Sequence, residues 1–308
     1  MAWSANDIPD QSGKVAVITG ANSGLGFEAS RELARKGATV VMAVRNMDKG
    51  EAAAVRIKAA VPDAELQLRK MDLGSLDSVK AFAARMNDEH DHIDILLNNA
   101  GIMATPAGQT KDGFETQVGT NHFGHFVLTE ELMPLLEAAP AARVVTLTSG
   151  ARVQGQTLTE DRARLTDDYD PWRAYGDSKL ANYQFAIELA RRLEAAGSSV
   201  TSYAAHPGLS HTNLQVATVD NAGTGISGRF WKVTARYVGM SPLRGTLPAL
   251  RAATDPNAQN GEFYGPRWSA RGPAVKLGAD ERRSAEKDTA RMWSVTEAET
   301  GIEFSLGS

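Results

Sequence analysis

Six short runs rich in Val, Ile, Leu and Ala recur along the chain with longer stretches of helical period between them. No other feature constrains the fold as much. The runs are KVAVITG (14–20), TVVMAV (39–44), ELQLRKMD (65–72), IDILLNNA (93–100), RVVTLTS (143–149) and SVTSYAAHPG (199–208). Apolar spacing predicts helices near 24–36, 47–61, 75–89, 112–139 and 171–196. Strands that are apolar on both faces and separated by helices pair in parallel, through right-handed crossovers, with both sheet faces covered. The expected architecture is a doubly wound α/β fold, whose ligands bind beyond the carboxyl ends of the strands. After 208 the pattern predicts a helix over 241–254, a seventh strand GEFYGP over 261–266 and helical spacing near 278–297.

A chain of 308 residues suffices for one large α/β domain, expected to span 1–308. Two stretches are weakly patterned. Residues 150–170 read as an extra segment, and 209–240, rich in Gly, Thr, Asn and Ser, read as a substrate lid. Lys plus Arg total 33 against 37 Asp plus Glu, intermixed along the chain, so no nucleic-acid or anionic-membrane surface is expected. Cysteine is absent, which removes disulfides, thiolate metal sites and a cysteine nucleophile, so redox chemistry requires a bound cofactor. The start, MAWSANDIPDQSGK, lacks the basic and apolar segments of a signal peptide, and no run reaches the length of a membrane span. A cytoplasmic protein without a membrane anchor is the expectation.

The strand ends carry the chemistry. After the first strand, TGANSGLG places Gly20, Gly24 and Gly26 where a tight turn aims a helix N-terminus at a pyrophosphate. A glycine turn alone is weak, but one that joins the first strand to a helix is what Rossmann dinucleotide binding requires. Asn22, Ser23 and Leu25 complete the candidate contacts of that turn. The second strand ends in Val44 where an NAD site would place a carboxylate, and Arg45 and Asn46 follow. A guanidinium there pairs with a 2′-phosphate, which favours NADP(H); the plainer alternative is a surface arginine. Asp72 and Leu73 follow the third strand, and Asn99, Ala100 and Gly101 the fourth, where they suit adenine and ribose or else serve as cap and turn residues.

YGDSKLAN (175–182) sets a phenol and an ammonium four residues apart on one helix face, with Asp170-Pro171 as cap and first helical residue. A phenol ordinarily titrates near 10, and a neighbouring ammonium favours its ionised form, so Lys179 is expected to tune Tyr175 downwards. Carbonyl reduction needs such an acid and base, because the oxygen gains negative charge as hydride reaches carbon and a proton must follow. Ser149, ending the fifth strand, is placed to orient that oxygen. Asn121 is placed to hold a water linking Lys179 to solvent.

TGANSGLG, NNAG, Asn121, Ser149, YGDSK and HPG stand in the order seen in short-chain dehydrogenases/reductases, which the chain resembles over nearly its whole length. The resemblance implies Tyr175 as general acid/base, Lys179 as the group that lowers its pKa and holds the nicotinamide ribose, Ser149 as the substrate-orienting hydroxyl and Asn121 as relay. It further implies that Pro207, Gly208, Leu209 and Thr212 contact the nicotinamide side of the cofactor. VRN, NHFGHF and YGDSKLAN are most similar to the branch of retinol dehydrogenases and daunorubicin ketoreductase-like proteins, which implies NADP(H), in agreement with Arg45. Homo-oligomers are common in that family.

Two departures matter. Between Ser149 and Tyr175 lie 25 residues, more than in many family members, so 150–170 is expected beside the site. The N-terminal anchor of membrane-bound retinol dehydrogenases is not expected, so retinoid oxidation in a membrane is not carried over. Light-dependent protochlorophyllide reductases are also similar, but their cysteine chemistry has no residue here.

Other classes compete less well. His122 and His125 lie three apart and could share a helix face, but no convincing third ligand accompanies them, so packing or polar helix roles are expected instead of a metal site. His206 suits either a cofactor contact or a structural role. Ser149 sits in LTSGA rather than in a hydrolase elbow. A non-catalytic NADP(H) sensor is the remaining rival, and it has no need of Asn121, Ser149, Tyr175 and Lys179 together. The expected partner is a small, apolar carbonyl or alcohol; Phe230, Trp231 and Tyr237 suit such a ligand, or else core packing.

Overall fold

The first strand, β1 (Val15–Thr19), leads through the glycine turn into α1 (Gly24–Arg35). The alternation continues as β2 (Thr39–Val44), α2 (Met47–Ala60), β3 (Leu66–Lys70), α3 (Leu76–Glu89) and β4 (Ile95–Asn98). Next come α4 (Thr116–Val118), α5 (Gly124–Glu131), α6 (Met133–Ala138), β5 (Arg143–Leu147), α7 (Glu160–Ala163), α8 (Pro171–Ala195) and β6 (Thr201–Ala205). The last elements are α9 (Pro242–Thr254), β7 (Phe263–Pro266), β8 (Ala274–Leu277) and α10 (Glu286–Thr300). This computed structural model describes residues 2–209 and 240–306. The lid expected over 209–240 therefore lies outside the described residues except for Leu209 and Met240 at its ends, and so do Thr212, Phe230, Trp231 and Tyr237.

The strands form one sheet in the order β3-β2-β1-β4-β5-β6-β7-β8. Every pairing is parallel except β7 with β8, an eighth, antiparallel edge strand beyond the seven that the apolar runs suggest. Its sequence, AVKL, is short and half exposed, so it carries little of the apolar signal that marks a buried strand. Successive residues of a strand point to opposite faces. Accordingly Val17 and Val41 join one core layer with Phe82, Met86, Phe126 and Trp293, while Ile18, Val40 and Met42 join the other with Leu33, Ile57 and Leu250. Both faces are covered, as a parallel sheet demands. Between β1 and β4 the strand order reverses, which opens the crevice where such sheets bind ligands.

The helix expected over 112–139 is broken into pieces. Its start is set by Glu115, whose carboxylate accepts from the Gln117 and Val118 amides at 2.9 and 2.7 Å. Residues Gly119–Phe123 then widen into a π turn, closed by the Gly124 amide on the Gly119 carbonyl. Two glycines permit this path: a Cβ on Gly119 would lie 2.5 Å from Thr110, and one on Gly124 would lie 2.6 Å from the Leu73 carbonyl. Pro134 then opens α6 in its first turn, where its missing N–H costs nothing.

The tail helix runs later than its spacing suggests, over Glu286–Thr300, and stops at Gly301 with φ 68°. It seats Trp293, fully buried, against Phe126, Phe185 and Phe304 at ring-centroid distances of 5.1, 5.8 and 5.0 Å, with Arg192 over its face. Among the described residues no helix is long and apolar enough to cross a membrane.

Truncation of a large buried ring costs about 3–5 kcal/mol. Trp293→Ala should therefore lower the urea midpoint of unfolding sharply; an unchanged midpoint would show that α10 adds little to the core.

Candidate active site

Thr19 ends β1 at the crevice, and its hydroxyl oxygen accepts from the Asn99 and Ala100 amides at 2.9 and 2.8 Å. The Asn99 side chain donates to the Thr19 carbonyl at 2.7 Å. This clamp draws the β4 loop onto the glycine turn so closely that a Cβ on Gly26 would lie 2.5 Å from the Gly20 carbonyl and 2.6 Å from the Asn99 amide nitrogen. Gly20 and Gly24 hold φ of 66° and 55°, which ordinary side chains avoid. Ser23 stands at the N-cap of α1 with its hydroxyl not closed onto the helix amides. Asn22, Ser23 and Leu25 are partly exposed beside it, so a helix N-terminus with free donors faces the crevice.

The other strand ends divide into free and committed groups. Arg45 is exposed, and no hydrogen bond or ion pair engages its side chain among the described residues. Asn46 instead caps α2, its side chain accepting from the Lys49 amide at 2.9 Å. One Asp72 oxygen accepts from the Gly74 amide at 3.0 Å. Leu73 is buried in the core layer and packs against Gly124. At the end of β6, Gly208 has φ 65° and would meet the Ala270 carbonyl at 2.6 Å with a Cβ, while Leu209 donates to that carbonyl at 2.8 Å. Pro207 lies between them and His206, partly buried.

Ser149, just past β5, lies near enough to the Tyr175 phenol to favour its ionised form, and its hydroxyl accepts from the Ala151 amide at 3.2 Å. Asp170 caps α8 by accepting from the Arg173 amide at 2.7 Å, which sets Tyr175 and Lys179 one turn apart inside the fold. The Lys179 Nζ lies 6.0 Å from the Tyr175 ring centre and donates to the Leu147 carbonyl at 3.3 Å. Asn121, in the π turn, clamps Ile102 with both ends of its amide, accepting at 2.8 Å and donating at 2.9 Å. It also donates to Ser178 at 3.0 Å, so its side chain fastens the β4 loop to α8 instead of standing free for a water. Gly101 makes this possible, since its Cβ would lie 3.1 Å from the Asn121 oxygen and 3.2 Å from Lys179 Nζ.

Burial governs how these groups titrate. It pushes the Tyr175 phenol above its ordinary value, against the opposing pull of the Ser149 hydrogen bond. The downward tuning expected from Lys179 does not appear: desolvation dominates, and the opposing pull comes from Ser149. Lys179 itself is lowered to about 8 by burial. At neutral pH the pair is a protonated phenol beside an ammonium, a proton donor next to a cation.

The short chain dehydrogenase family model matches residues 14–223. The chain belongs to the short-chain dehydrogenase family. It is 37% identical over 294 residues to Retinol dehydrogenase 12 of Mus musculus, covering 95% of this chain and 88% of that one. It is 44% identical over 202 residues to Retinol dehydrogenase 13 of Homo sapiens, which spans 66% of this chain and 60% of that one. A solved structure of an uncharacterised protein from Mycobacterium Paratuberculosis is similar throughout, with a TM-score of 0.82, 42% identity and coverage of 99% and 100%. These relatives place the chain in the retinol dehydrogenase-like branch of a family of alcohol and carbonyl oxidoreductases.

In this short-chain dehydrogenase the contacts of Gln117 and Trp172 escape a reading of strand ends. The 150–170 segment folds as a short helical turn (150–154) and α7, and packs on α8 beside Tyr175: a Cβ on Gly155 would lie 2.3 Å from the Gly176 carbonyl. Asp177 anchors it from α8, accepting from the Gln156 amide at 2.7 Å and from Arg162. Gln117 joins Ala104, Tyr169 and Pro171, tying the start of α8 to the β4 loop. Trp172, 40% exposed, meets the Tyr175 ring edge-on at 6.4 Å. Only its spacing, three residues before Tyr175 on one helix, hints at that contact.

The histidines point apart. The His122 Nε2 bonds Thr296 at 2.8 Å, His125 bonds Thr19 and the Asn121 carbonyl, and His206 Nδ1 accepts from the Gly208 amide at 3.2 Å. Among the described residues no three ligands gather as a metal would need.

Lys179→Met should stabilise the fold at pH 7 by about 3 kcal/mol, the equivalent of moving an ammonium from its ordinary value to about 8. Asn182 still donates to the Leu147 carbonyl at 3.0 Å in that variant, so no acceptor is orphaned. The wild-type lysine sheds its proton near 8 when folded and near 10.5 when unfolded. Its stability therefore rises across that window, and the gap between the two proteins should narrow from pH 7 to pH 10. Urea midpoints at both pH values check this.

Proposed function

We propose that this short-chain dehydrogenase interconverts an apolar ketone or aldehyde and the corresponding alcohol with NADP(H), Tyr175 acting as general acid and base. The observation that carries the reading is the placing of Tyr175 and Lys179 one turn apart and buried on α8, with Ser149 at the end of β5 close enough to act on the phenol. The residues fit a dinucleotide phosphate. Gly20 and Gly24 hold the turn in backbone angles that leave the N-terminus of α1 bare, Ser23 keeps its hydroxyl uncommitted, and Arg45 is a cation without an ion partner among the described residues. A bound nicotinamide supplies hydride to the carbonyl carbon or takes it from the alcohol carbon.

The chain's own residues manage the oxygen. Ser149 orients it by hydrogen bonding, and Tyr175 passes its phenolic proton to it as negative charge develops there. In oxidation the same phenol oxygen, ionised, accepts the alcohol proton. Burial keeps the phenol protonated at rest, which suits the reducing direction. Lys179 would hold the nicotinamide ribose and supplies positive charge beside the ionised phenol. Gly20, Asn22, Leu25, Asp72, Asn99, Ala100, Pro207, Gly208 and Leu209 complete the proposed cofactor contacts, Asn46 and Leu73 through backbone alone, because their side chains serve the cap and the core.

Arg45 beside Val44 favours NADP(H) over NAD(H), since a carboxylate in that place would repel a 2′-phosphate. Trp172 and the retinol dehydrogenase names of the relatives support an apolar substrate. Every group of the proposed site comes from one chain, read as one domain of a cytoplasmic protein.

Tyr175→Phe should lower kcat by at least about 100-fold while NADPH affinity, followed by its fluorescence, stays within a few-fold of wild type. Retained turnover would remove Tyr175 from the mechanism. Tight NADPH binding by the wild-type protein, with no NADPH consumption over aldehydes, aryl ketones, steroids and quinones, would instead support a cofactor sensor. Arg45→Asp should weaken NADPH binding about 10- to 100-fold relative to NADH; an unchanged preference would place 2′-phosphate recognition elsewhere.

A further inference from the structure

His125 lies fully buried between the two halves of the proposed site. Its Nδ1 is 2.9 Å from the Asn121 main-chain oxygen, and its Nε2 is 2.9 Å from the Thr19 hydroxyl. A carbonyl oxygen only accepts, so Nδ1 carries the proton. The Thr19 oxygen gives the same answer independently. It accepts from the Ala100 amide and shares the Asn99 amide with the Leu97 carbonyl, so the hydroxyl proton is left to donate. Its choices are the His125 Nε2 at 2.9 Å and the Leu97 carbonyl at 3.5 Å, and the nearer is the better acceptor. Two separate counts thus agree on one proton arrangement, with every bond a donor meeting an acceptor.

We propose that His125 is a positioning residue, a neutral imidazole held as its Nδ1–H tautomer, which ties the π turn carrying Asn121 to the Thr19 clamp beneath the cofactor cradle. A second proton on the ring would set a donor on Nε2 against the Thr19 hydroxyl, which is already committed as a donor. Burial and the nearby Lys179 charge both oppose that proton and hold the ring down to about 4. The role in the reaction rests on the reading of Tyr175 as acid and base. The hydrogen-bond arrangement does not.

Two substitutions separate the halves of the tie. His125→Asn keeps a donor for the carbonyl four residues back, as Asn87 does for the Ala83 carbonyl at 3.0 Å, but no longer reaches Thr19. His125→Gln reaches Thr19 with an acceptor but loses the donation to Asn121. His125→Asn should raise the NADPH Kd about 10-fold, more than it lowers kcat, and should speed amide exchange at Asn99 and Ala100. His125→Gln should lower kcat about 10-fold, more than it raises the Kd, and should leave those two amides protected.

The wild-type protein, uniformly labelled with nitrogen-15, provides a readout that needs neither a variant nor turnover. Long-range proton–nitrogen correlations should show a protonated Nδ1 and a bare Nε2 at His125 near pH 7. A bare Nδ1, or a doubly protonated ring, would overturn the proposal, as would variants in which Kd, kcat and exchange all move together or not at all. If the wild-type protein turns over no carbonyl, the reaction reading fails, while the tautomer and the Asn99 and Ala100 exchange rates still decide the role of His125.

Discussion

The Thr19 hydroxyl is the point on which the crevice depends. β1 and β4 are neighbours, and the Ala100 amide of the β4 loop would be left facing the interior without a partner, whereas the Asn99 amide also meets the Leu97 carbonyl at 2.9 Å. Thr19 takes both. An orphaned Ala100 amide would cost about 1–3 kcal/mol, so the hydroxyl holds the loop where the glycine turn must accommodate it. The requirement for Gly26 follows, because the loop comes within reach of any Cβ there. Asn121 repeats the device one layer out, holding Ile102 by both backbone groups and so extending the fixed loop to α8.

Around that frame, burial does as much chemical work as charge. Tyr175 and Lys179 begin with nearly equal ordinary values, and desolvation drives them apart, the phenol up and the ammonium down. The lysine is therefore the first of the two to lose its proton as pH rises. A protonated phenol and a lysine that is charged at pH 7 coexist without either needing the other's ionisation. Keeping a buried ammonium is costly to the fold, and such a cost is ordinarily borne where the group serves a reaction.

What can be read from the sequence, and what cannot, divides by the range of the interaction. The strands β1 to β7, the glycine turn, the Asp170 cap and the Tyr175/Lys179 spacing are local patterns, each decided within a few residues. β8 is invisible in sequence because an exposed edge strand has no two-sided apolar signal. The broken helix after Glu115 escapes a pattern reading because the π turn depends on Thr110 and Leu73, which touch Gly119 and Gly124 only in the folded chain. Asn46 looks like a cofactor contact by position, yet the start of the next helix claims its side chain. His125 looks like half of a metal pair, because helical spacing shows which residues share a face but not which buried donors await them.

The 150–170 segment shows how an addition to the fold can refine a site without supplying a reacting group. It reaches α8 at Gly176, next to Tyr175, where the backbone approach forbids a side chain on Gly155 and leaves little room for one on Gly176. Asp177, Arg162 and Gln156 then lock the contact, and Gln117 fixes the start of the same helix from the β4 side. Tyr175 is thus held from both flanks by hydrogen bonds that involve neither its hydroxyl nor its ring. The phenol's own neighbours are the Ser149 hydroxyl and, edge-on to its ring, Trp172. A rigid helix backbone under Tyr175 fixes the phenol's geometry in advance, which is what the proposed role as proton donor requires.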